Sequence, residues 1–279
     1  MIYYECYITN MPGSCDASTA GERGLRAARG AAVAVFAYRD AKGRPAAWPV
    51  TPYVHGGSVV VTSTLAFIRK AIHVRADGRV ALLAAGAHMN GKATVSASSS
   101  GDAFIERILP QEIEKYPPTR EIVSAPCSRA LFWWYYGRVF ITFRPVDTIL
   151  RPGSDAATLL WIDDRGFPSI LPIEAPDRRE ASFALRSLLE PLPAFGRPVS
   201  ASILLHAQPT PRDLRQLLLR GDLDVDGRFH VRSSVGSLEN RAATSGVGEV
   251  IRQLSYHRAA LRARRTIRDW PAPENGGLA

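Results

Sequence analysis

What most limits the fold of this chain is its punctuation: short apolar runs, none longer than one strand, each ended by a turn signal. Ala32–Tyr38 stops at Asp40-Ala-Lys-Gly43, and a second run around Ala46–Tyr53 stops at His55-Gly-Gly57. Ser58–Thr64 follows, then Arg79–Ala85 after Asp77-Gly78, then Lys92–Ser98. Apolar runs divided by glycine-containing turns are the mark of antiparallel strands. Two helices interrupt them. Phe67 to Arg75 places Ile68 and Ile72 on a different face from Arg69 and Lys70. Phe104 to Tyr116 lines up Phe104, Ile105, Ile108, Leu109 and Ile113, and Pro117-Pro118 closes it. Leu131–Phe143 is rich in aromatic and β-branched residues and is expected to be a strand, with Gly137 as a bulge or turn. Six strands and two crossing helices within about 120 residues predict a small closed barrel, in a mainly β (α+β) class.

Composition removes several alternatives. Of 279 residues, 46% are hydrophobic and 22% charged, as in ordinary globular chains and unlike the apolar-poor disordered ones. No apolar run approaches the roughly 18 to 20 residues that a membrane-crossing helix needs. Met1–Asn10 mixes apolar and acidic residues without a basic flank, so no secretory signal is expected and the chain reads as cytoplasmic. Cys6, Cys15 and Cys127 are too scattered for a disulfide framework, and the six histidines form no metal-ligating pair; no metal site is expected. The net charge of +9 rests on 31 arginines against 4 lysines, and from Asn240 onward seven arginines face only Glu249, Asp269 and Glu274. A basic terminal helix suits nucleic acid or an anionic cofactor. It lacks the interleaved aromatics of single-strand binders, so a solvated face is expected and nucleic acid is not an expected partner.

The second half echoes the first. Asp40-Ala-Lys-Gly-Arg-Pro-Ala-Ala-Trp-Pro-Val50 and Asp163-Asp-Arg-Gly-Phe-Pro-Ser-Ile-Leu-Pro-Ile173 share D-x-x-G-x-P-x-x-x-P-(V/I) at a constant offset of 123 residues. Gly137-Arg-Val-Phe-Ile-Thr-Phe143 is echoed loosely by Gly227-Arg-Phe-His-Val-Arg232. A duplicated, shortened second unit is expected, with Asp163–Ile173 forming the same hairpin as Asp40–Val50. It has nothing that corresponds to Val59–Lys70.

That missing segment holds the most suggestive chemistry. Thr62, Ser63 and Thr64 end a strand, and Arg69 and Lys70 begin a helix. Hydroxyls and free amides donate to phosphate oxygens, and a helix N-terminus adds a favourable dipole. Arginine grips two oxygens in one plane, whereas lysine acts as a mobile point charge. Thr-rich strands and basic helix starts are also common without any ligand.

In order and spacing, the strand carrying G-x-P-x-x-x-P-V, the hairpin, the strand ending in Thr64, the Arg69-Lys70 helix and the strand from Asp77-Gly78 resemble the split-barrel flavoproteins. These are the pyridoxamine 5′-phosphate oxidase-like proteins and their deazaflavin-dependent relatives, and the resemblance covers about residues 30–150. It implies an FMN-binding split β-barrel in which Thr64, Arg69 and Lys70 hold the cofactor phosphate with Thr62 and Ser63. Trp48, Pro49, Val50 and Thr51 would lie along the isoalloxazine ring, and Trp133, Trp134 and Arg138 would add contacts. Two positions depart from the oxidase pattern. Trp48 stands where the oxidase has an arginine, and Ile68 where it has a serine, so pyridoxamine phosphate oxidation is not expected. FMN is the first cofactor implied, with a deazaflavin coenzyme or heme as alternatives.

No nucleophile motif, His–carboxylate pair or pair of acids at a suggestive spacing accompanies these residues. Flavins carry hydride chemistry themselves, so the absence fits a flavoenzyme as well as a protein that only binds. The expected organisation is an arm and short helix at 1–29 and a split barrel at 30–150. A degenerate barrel-like unit at 155–236 and a basic helix at 238–270 follow, the helix with Leu254 and Leu261 inward and Arg258, Arg262 and Arg265 outward. The expected function is a flavin- or deazaflavin-dependent oxidoreductase acting on a small organic substrate. The alternative is a non-catalytic split barrel that binds flavin or heme. A homodimer is expected, because such barrels hold their cofactor in a shallow cleft that a second barrel completes.

Overall fold

The computed structural model describes residues 19–151, 156–177, 181–188, 191–208, 213–239 and 246–273. Cys6, Cys15 and the expected arm up to residue 18 lie outside them. The described chain starts with α1 (Ala20–Gly30), whose Thr19 and Glu22 form a reciprocal capping box. Then come β1 (Ala34–Arg39), β2 (Pro45–Val50), β3 (Pro52–His55) and β4 (Ser58–Thr64). A 3-10 turn (Leu65–Phe67), α2 (Arg69–Ala76), β5 (Arg79–Ala84) and β6 (Ala87–Ser98) follow. Five short helices come next: α3 (Asp102–Arg107), α4 (Leu109–Lys115), α5 (Thr119–Ser124), α6 (Ser128–Leu131) and α7 (Trp133–Tyr136). β7 (Arg138–Phe143) and β8 (Asp147–Leu150) complete the first sheet, in the order β2-β1-β5-β6-β7-β4-β3 with β8 on β6. The second sheet holds β9 (Ala157–Ile162), β10 (Pro168–Pro172), β11 (Ser182–Ala184), β12 (Val199–Ala207), β13 (Arg215–Leu223) and β14 (Arg228–Ser237). Its order is β10-β9-β12-β13-β14-β11, and α8 (Gly246–Thr266) follows. The molecule is thus mainly β, a split barrel with a second sheet and a C-terminal helix.

The barrel is split, not closed. β2 and β3 are the two ends of the first sheet's strand order, and Thr51 is all that separates them in sequence. β6 turns the corner between the two halves: residues 87–92 of it pair with β5, and residues 93–98 pair with β7. Gly91 stands at that corner. A Cβ there would lie 2.5 Å from the Arg144 carbonyl oxygen and 2.9 Å from the Phe143 ring. Phe36, Leu82, Met89 and Ile141 pack fully buried in the core around the bend, each contributing about 1.5–3 kcal/mol through removal from water.

One turn recurs. In β1–β2, Asp40 accepts the amides of Lys42 and Arg44 at 2.8 and 3.0 Å, and Gly43 takes a left-handed φ of 75°. Asp163 does the same for Phe167 at 2.7 Å, with Gly166 at φ 80°. The strand partners Arg39↔Pro45 and Ile162↔Pro168 keep the offset of 123, so the two echoing segments form the same hairpin. Trp48 and Val50 face one core, and their equivalents Leu171 and Ile173 face the other. The β13–β14 hairpin uses the turn a third time, through Asp224 and Gly227.

The two sheets pack face to face. Val35, Ala37, Ala47, Ala81 and Leu83 of the first meet Leu160, Ile170, Leu204 and Leu218 of the second. Small alanines opposite leucines let the layers approach closely. Ala37 and Leu160, and Ala47 and Ile170, are equivalent positions of the repeated hairpin, so each hairpin sends the same positions to the seam.

Three further expectations are corrected. Leu131–Phe143 is not one strand: Trp133–Tyr136 form a helical turn, and only Arg138 onward is strand. A strand would alternate the four aromatics between two faces, whereas the turn buries Trp134, Tyr135 and Tyr136 together. The helix at Phe104–Tyr116 breaks into α3 and α4 at Ile108, where Pro110 cannot continue the hydrogen-bond ladder. In α8, Leu254 and Leu261 are both 54% exposed, and Ala260, Ala263 and, just past the helix end, Ile267 face the barrel instead. Tyr256 sets that rotation by packing on Phe67 and Trp134 at 5.2 and 4.9 Å between ring centres. Arg258, Arg262 and Arg265 are exposed, and residues 240–245 lie outside the described part. No described helix is long and apolar enough to cross a membrane.

Gly91→Ala should destabilise the protein by roughly 1–3 kcal/mol, because both neighbours at the corner are hard to displace. Gly30→Ala, where nothing lies within 4 Å of the added carbon, is the control. Urea denaturation should show the loss for the first and not for the second.

Candidate functional site

A cleft of ≈ 220 Å³ opens where the sheet fails to close. Pro49, Val50 and Thr51 come from the end of β2, Tyr53 from β3 and Thr62 from β4. Lys70 enters from α2, Glu112 and Tyr116 from α4 and its end, and Arg138 from the start of β7. The register explains the grouping. Tyr53 opposes Val60, Thr62 opposes Phe140 and Thr64 opposes Arg138, so these side chains share the face of the sheet on which α3 and α4 pack.

Arg138 and Glu112 form the floor, 4% and 7% exposed. The guanidinium reaches both carboxylate oxygens at 3.2 and 3.3 Å and lies over the rings of Phe104 and Tyr135 at 4.1 and 4.3 Å. Glu112 also accepts the Tyr53 hydroxyl at 3.0 Å, the Thr119 hydroxyl at 3.3 Å, and a very short bond from the Tyr135 hydroxyl. Burial and the Glu112 charge both push the Tyr53 and Tyr135 hydroxyls above the usual tyrosine range. Neither phenol ionises under ordinary conditions, and both remain donors to the carboxylate.

Lys70 differs from the other charged groups of the cleft, Glu112 and Arg138. No hydrogen bond or ion pair engages its ammonium among the described residues. Burial, then the neighbouring Arg138 charge, pull its pKa down to about 8. Nearby, Thr64 Oγ1, Arg138 Nε and Trp134 Nε1 are buried without partners. Orphaned buried polar atoms are rare in native proteins and call for an explanation.

Six of the eleven expected site residues therefore meet in one cleft: Pro49, Val50, Thr51, Thr62, Lys70 and Arg138. Thr64 lies beside it on the same face. Ser63 points the other way, its hydroxyl donating to the Phe67 carbonyl at 2.7 Å. Arg69 is exposed and outside the lining. Trp48 donates its indole N–H to the Tyr38 hydroxyl at 2.9 Å, and Trp134 packs under α8 against Tyr256. Trp133 is likewise held by α8, donating to His257 Nδ1 at 2.9 Å beneath the Arg264 guanidinium. Sequence reasoning missed Tyr53, Glu112 and Tyr116. Glu112 carried a signal: it follows Phe104 and Ile108 at four-residue steps, on the apolar side of the helical pattern, where a carboxylate needs a buried partner.

No protein-family model and no curated protein match the chain. Solved structures similar to it include a putative pyridoxamine 5′-phosphate oxidase from Listeria innocua, 18% identical over 47% of this chain and 96% of that one, TM-score 0.33. An F420 reductase is 18% identical over 42% of this chain and 88% of that one, TM-score 0.31. A pyridoxamine 5′-phosphate oxidase-related, FMN-binding protein from Nostoc punctiforme is 11% identical over 78% and 92%, TM-score 0.27. At such identities and scores the likeness concerns the fold and assigns neither ligand nor activity.

Glu112→Gln should cost about 3 kcal/mol or more, because it leaves the buried Arg138 charge without its counter-charge. Replacing the pair together, Glu112→Gln with Arg138→Met, should recover much of that loss. A double-mutant cycle by chemical denaturation measures both, and additive losses would show that the pair is not coupled.

Proposed function

We propose that the cleft holds the anionic end of a flavin-type cofactor, FMN first and a deazaflavin coenzyme second. The protein would then be an oxidoreductase acting on a small organic molecule. The observation that carries the reading is the unengaged Lys70 ammonium facing the cleft beside Thr62, with the Thr64 hydroxyl unpartnered on the same face. A phosphate satisfies all three donors. Arg138 is not a free phosphate ligand, because Glu112 already holds it; its part is structural, and its charge disfavours a second cation at Lys70 until an anion binds. At ≈ 220 Å³ the cleft is below the usual range for enclosed small-molecule sites, roughly 300–1,000 Å³. It therefore encloses one end of such a ligand and leaves the rest along Pro49–Thr51 at the open edge. When bound, a flavin supplies the hydride chemistry itself. The chain's part is to bind, orient and exclude water. Heme is less well supported, since no histidine, cysteine or methionine lines the cleft.

One observation favours the non-catalytic alternative. Both oxygens of Glu112 are engaged by several donors, so the one carboxylate of the cleft is committed to structure and not poised for proton transfer. The visible spectrum of the purified protein tests the cofactor directly, because flavin, deazaflavin and heme absorb differently. With the apoprotein, FMN affinity should fall as pH rises from 7 to 9 through about 8. The ammonium is charged below that value and neutral above it, so the attraction to the phosphate is present at low pH and lost at high pH. Lys70→Gln should bind FMN roughly tenfold or more weakly, with a flat pH profile. A wild-type profile that is flat as well would refute the assignment of Lys70.

We also propose a homodimer. No residue of the second sheet lines the cleft, so that sheet does not supply the cover a shallow site needs, and a second copy is the simplest cover. Light scattering at low concentration should give twice 30.5 kDa; the monomer mass would overturn this.

A further inference from the structure

The two sheets that pack closely at the centre of their seam part at one end of it. Ala81 and Leu83 of β5 face the seam, and strand alternation puts Arg79 on the same face. Across the ladder, Leu83, Ala81 and Arg79 oppose His88, Asn90 and Lys92 of β6, so these three share that face. His88 and Asn90 are buried, whereas Lys92 is exposed. At that end a cleft of ≈ 630 Å³ opens between the sheets. The turn at 76–78, Arg79 and Lys92 wall it from the first sheet, and Arg165 and Phe167 of the β9–β10 turn wall it from the second. The volume falls within the roughly 300–1,000 Å³ usual for small-molecule sites, which favour such junctions.

The charges of this cleft are unbalanced. Asp77 is the carboxylate in its lining, and it is already taken by Arg79 through two bonds of 2.9 Å and by Arg39 at 3.0 Å. Arg79 is held in turn by the second sheet, because its guanidinium lies against Gly166, where any Cβ would collide with it. Lys92, directly opposite Arg79, has no acceptor among the described residues, and like charges so placed oppose the ladder. Arg165 stands 3.6 Å from Asp163 and 3.8 Å from Asp147, too far to hydrogen-bond either. Lys92 and Arg165 thus remain open to an incoming anion.

The repeated hairpin supplies the third wall group. Phe167 stands 123 residues after Arg44, at the equivalent position of the second copy. Arg44 grips Asp40 of its own turn at 2.7 and 3.0 Å. Phe167 cannot grip Asp163. Its half-buried ring lines the cleft instead, with the Arg165 guanidinium 6.0 Å from the ring centre. The second copy therefore presents a flat apolar surface beside two open cations.

We propose that this cleft binds an aromatic oxyanion, a ring packed on Phe167 whose phosphate or carboxylate is held by Lys92 and Arg165. Ring-on-ring packing adds to the apolar area removed from water, and both cations give charge-assisted bonds to either oxyanion. The site shares no lining residue with the cleft of Lys70 and does not depend on the cofactor reading. It gives the second sheet, which is absent from the first cleft, a part in recognition.

Calorimetric titration with 1-naphthyl phosphate, 1-naphthoate, inorganic phosphate and 1-naphthol tests the site, in the wild type and in Lys70→Gln. At least one aromatic anion should bind roughly tenfold or more tightly than both naphthol and inorganic phosphate, and the tighter of the two identifies the preferred oxyanion. That binding should persist in Lys70→Gln. Lys92→Gln and Arg165→Gln, both at exposed side chains, should each weaken it roughly tenfold, and Lys92→Arg should retain most of it. Phe167→Leu should weaken the naphthyl anions and leave inorganic phosphate unchanged. Aromatic anions that bind no better than naphthol or phosphate would overturn the proposal. So would affinity that survives both Lys92→Gln and Arg165→Gln, or binding lost in Lys70→Gln, which belongs to the first cleft. FMN titrated into the wild type reads the first cleft separately, so either site can fail alone.

Discussion

A guanidinium taken out of water must find an opposite charge, and in this protein Arg138 finds Glu112. Because the pair is buried, every remaining lone pair of the carboxylate also needs a donor, and Tyr53, Thr119 and Tyr135 supply them. The result ties β3, α4, α5, α7 and β7 to one point. Five short elements are joined there by a polar network that adds to their apolar packing. The same network decides which cation is left for a ligand. Arg138 is spent on structure, and Lys70, pushed toward neutrality by burial and then by the Arg138 charge, is the group that remains open.

The second constraint is geometric. A sheet that curls but does not close leaves two strand ends, and here they are consecutive strands joined through Thr51. Backbone groups at such ends are unpaired, and a turn this short cannot cover them. A cleft therefore forms at the split, lined by β2 and β3 on one side and closed from beneath by α4. The site is a consequence of incomplete closure.

The second sheet covers the opposite flank. Its leucines pack on the alanine-rich outer face of β1, β2 and β5, so it buries apolar surface without entering the cleft. Buried between the sheets, His88 is held neutral, its pKa lowered to about 3 by burial and by the nearby Arg151 and Arg165. A neutral imidazole in the folded state and a protonated one in the unfolded state mean that this seam weakens as pH falls below about 6.5.

Local chemistry made much of this legible in the sequence. Asp at the head of a four-residue turn and Gly in the left-handed position specify a hairpin wherever they occur, so the echo at a distance of 123 residues was readable as the same structure. A run of β-branched residues ending in Thr64, then a basic helix start, marked the strand and helix that carry Thr62 and Lys70. What lies beyond local patterning was decided by the tertiary structure. Tyr53 and Arg138 lie 59 and 26 residues from Glu112 in the chain, and only strand register and the packing of α4 bring the three to one floor. The aromatics Trp133–Tyr136 satisfy a strand pattern as well as a helical turn, and it is the Glu112 and α8 contacts that select the turn. The rotation of α8 was equally undetermined, because leucine and alanine faces compete and the closer approach of alanine to the barrel prevailed. Hydrophobic period and turn chemistry act over a few residues; the pairing of buried charges acts through space, and that is why the fold was readable while most of the site's wiring was not.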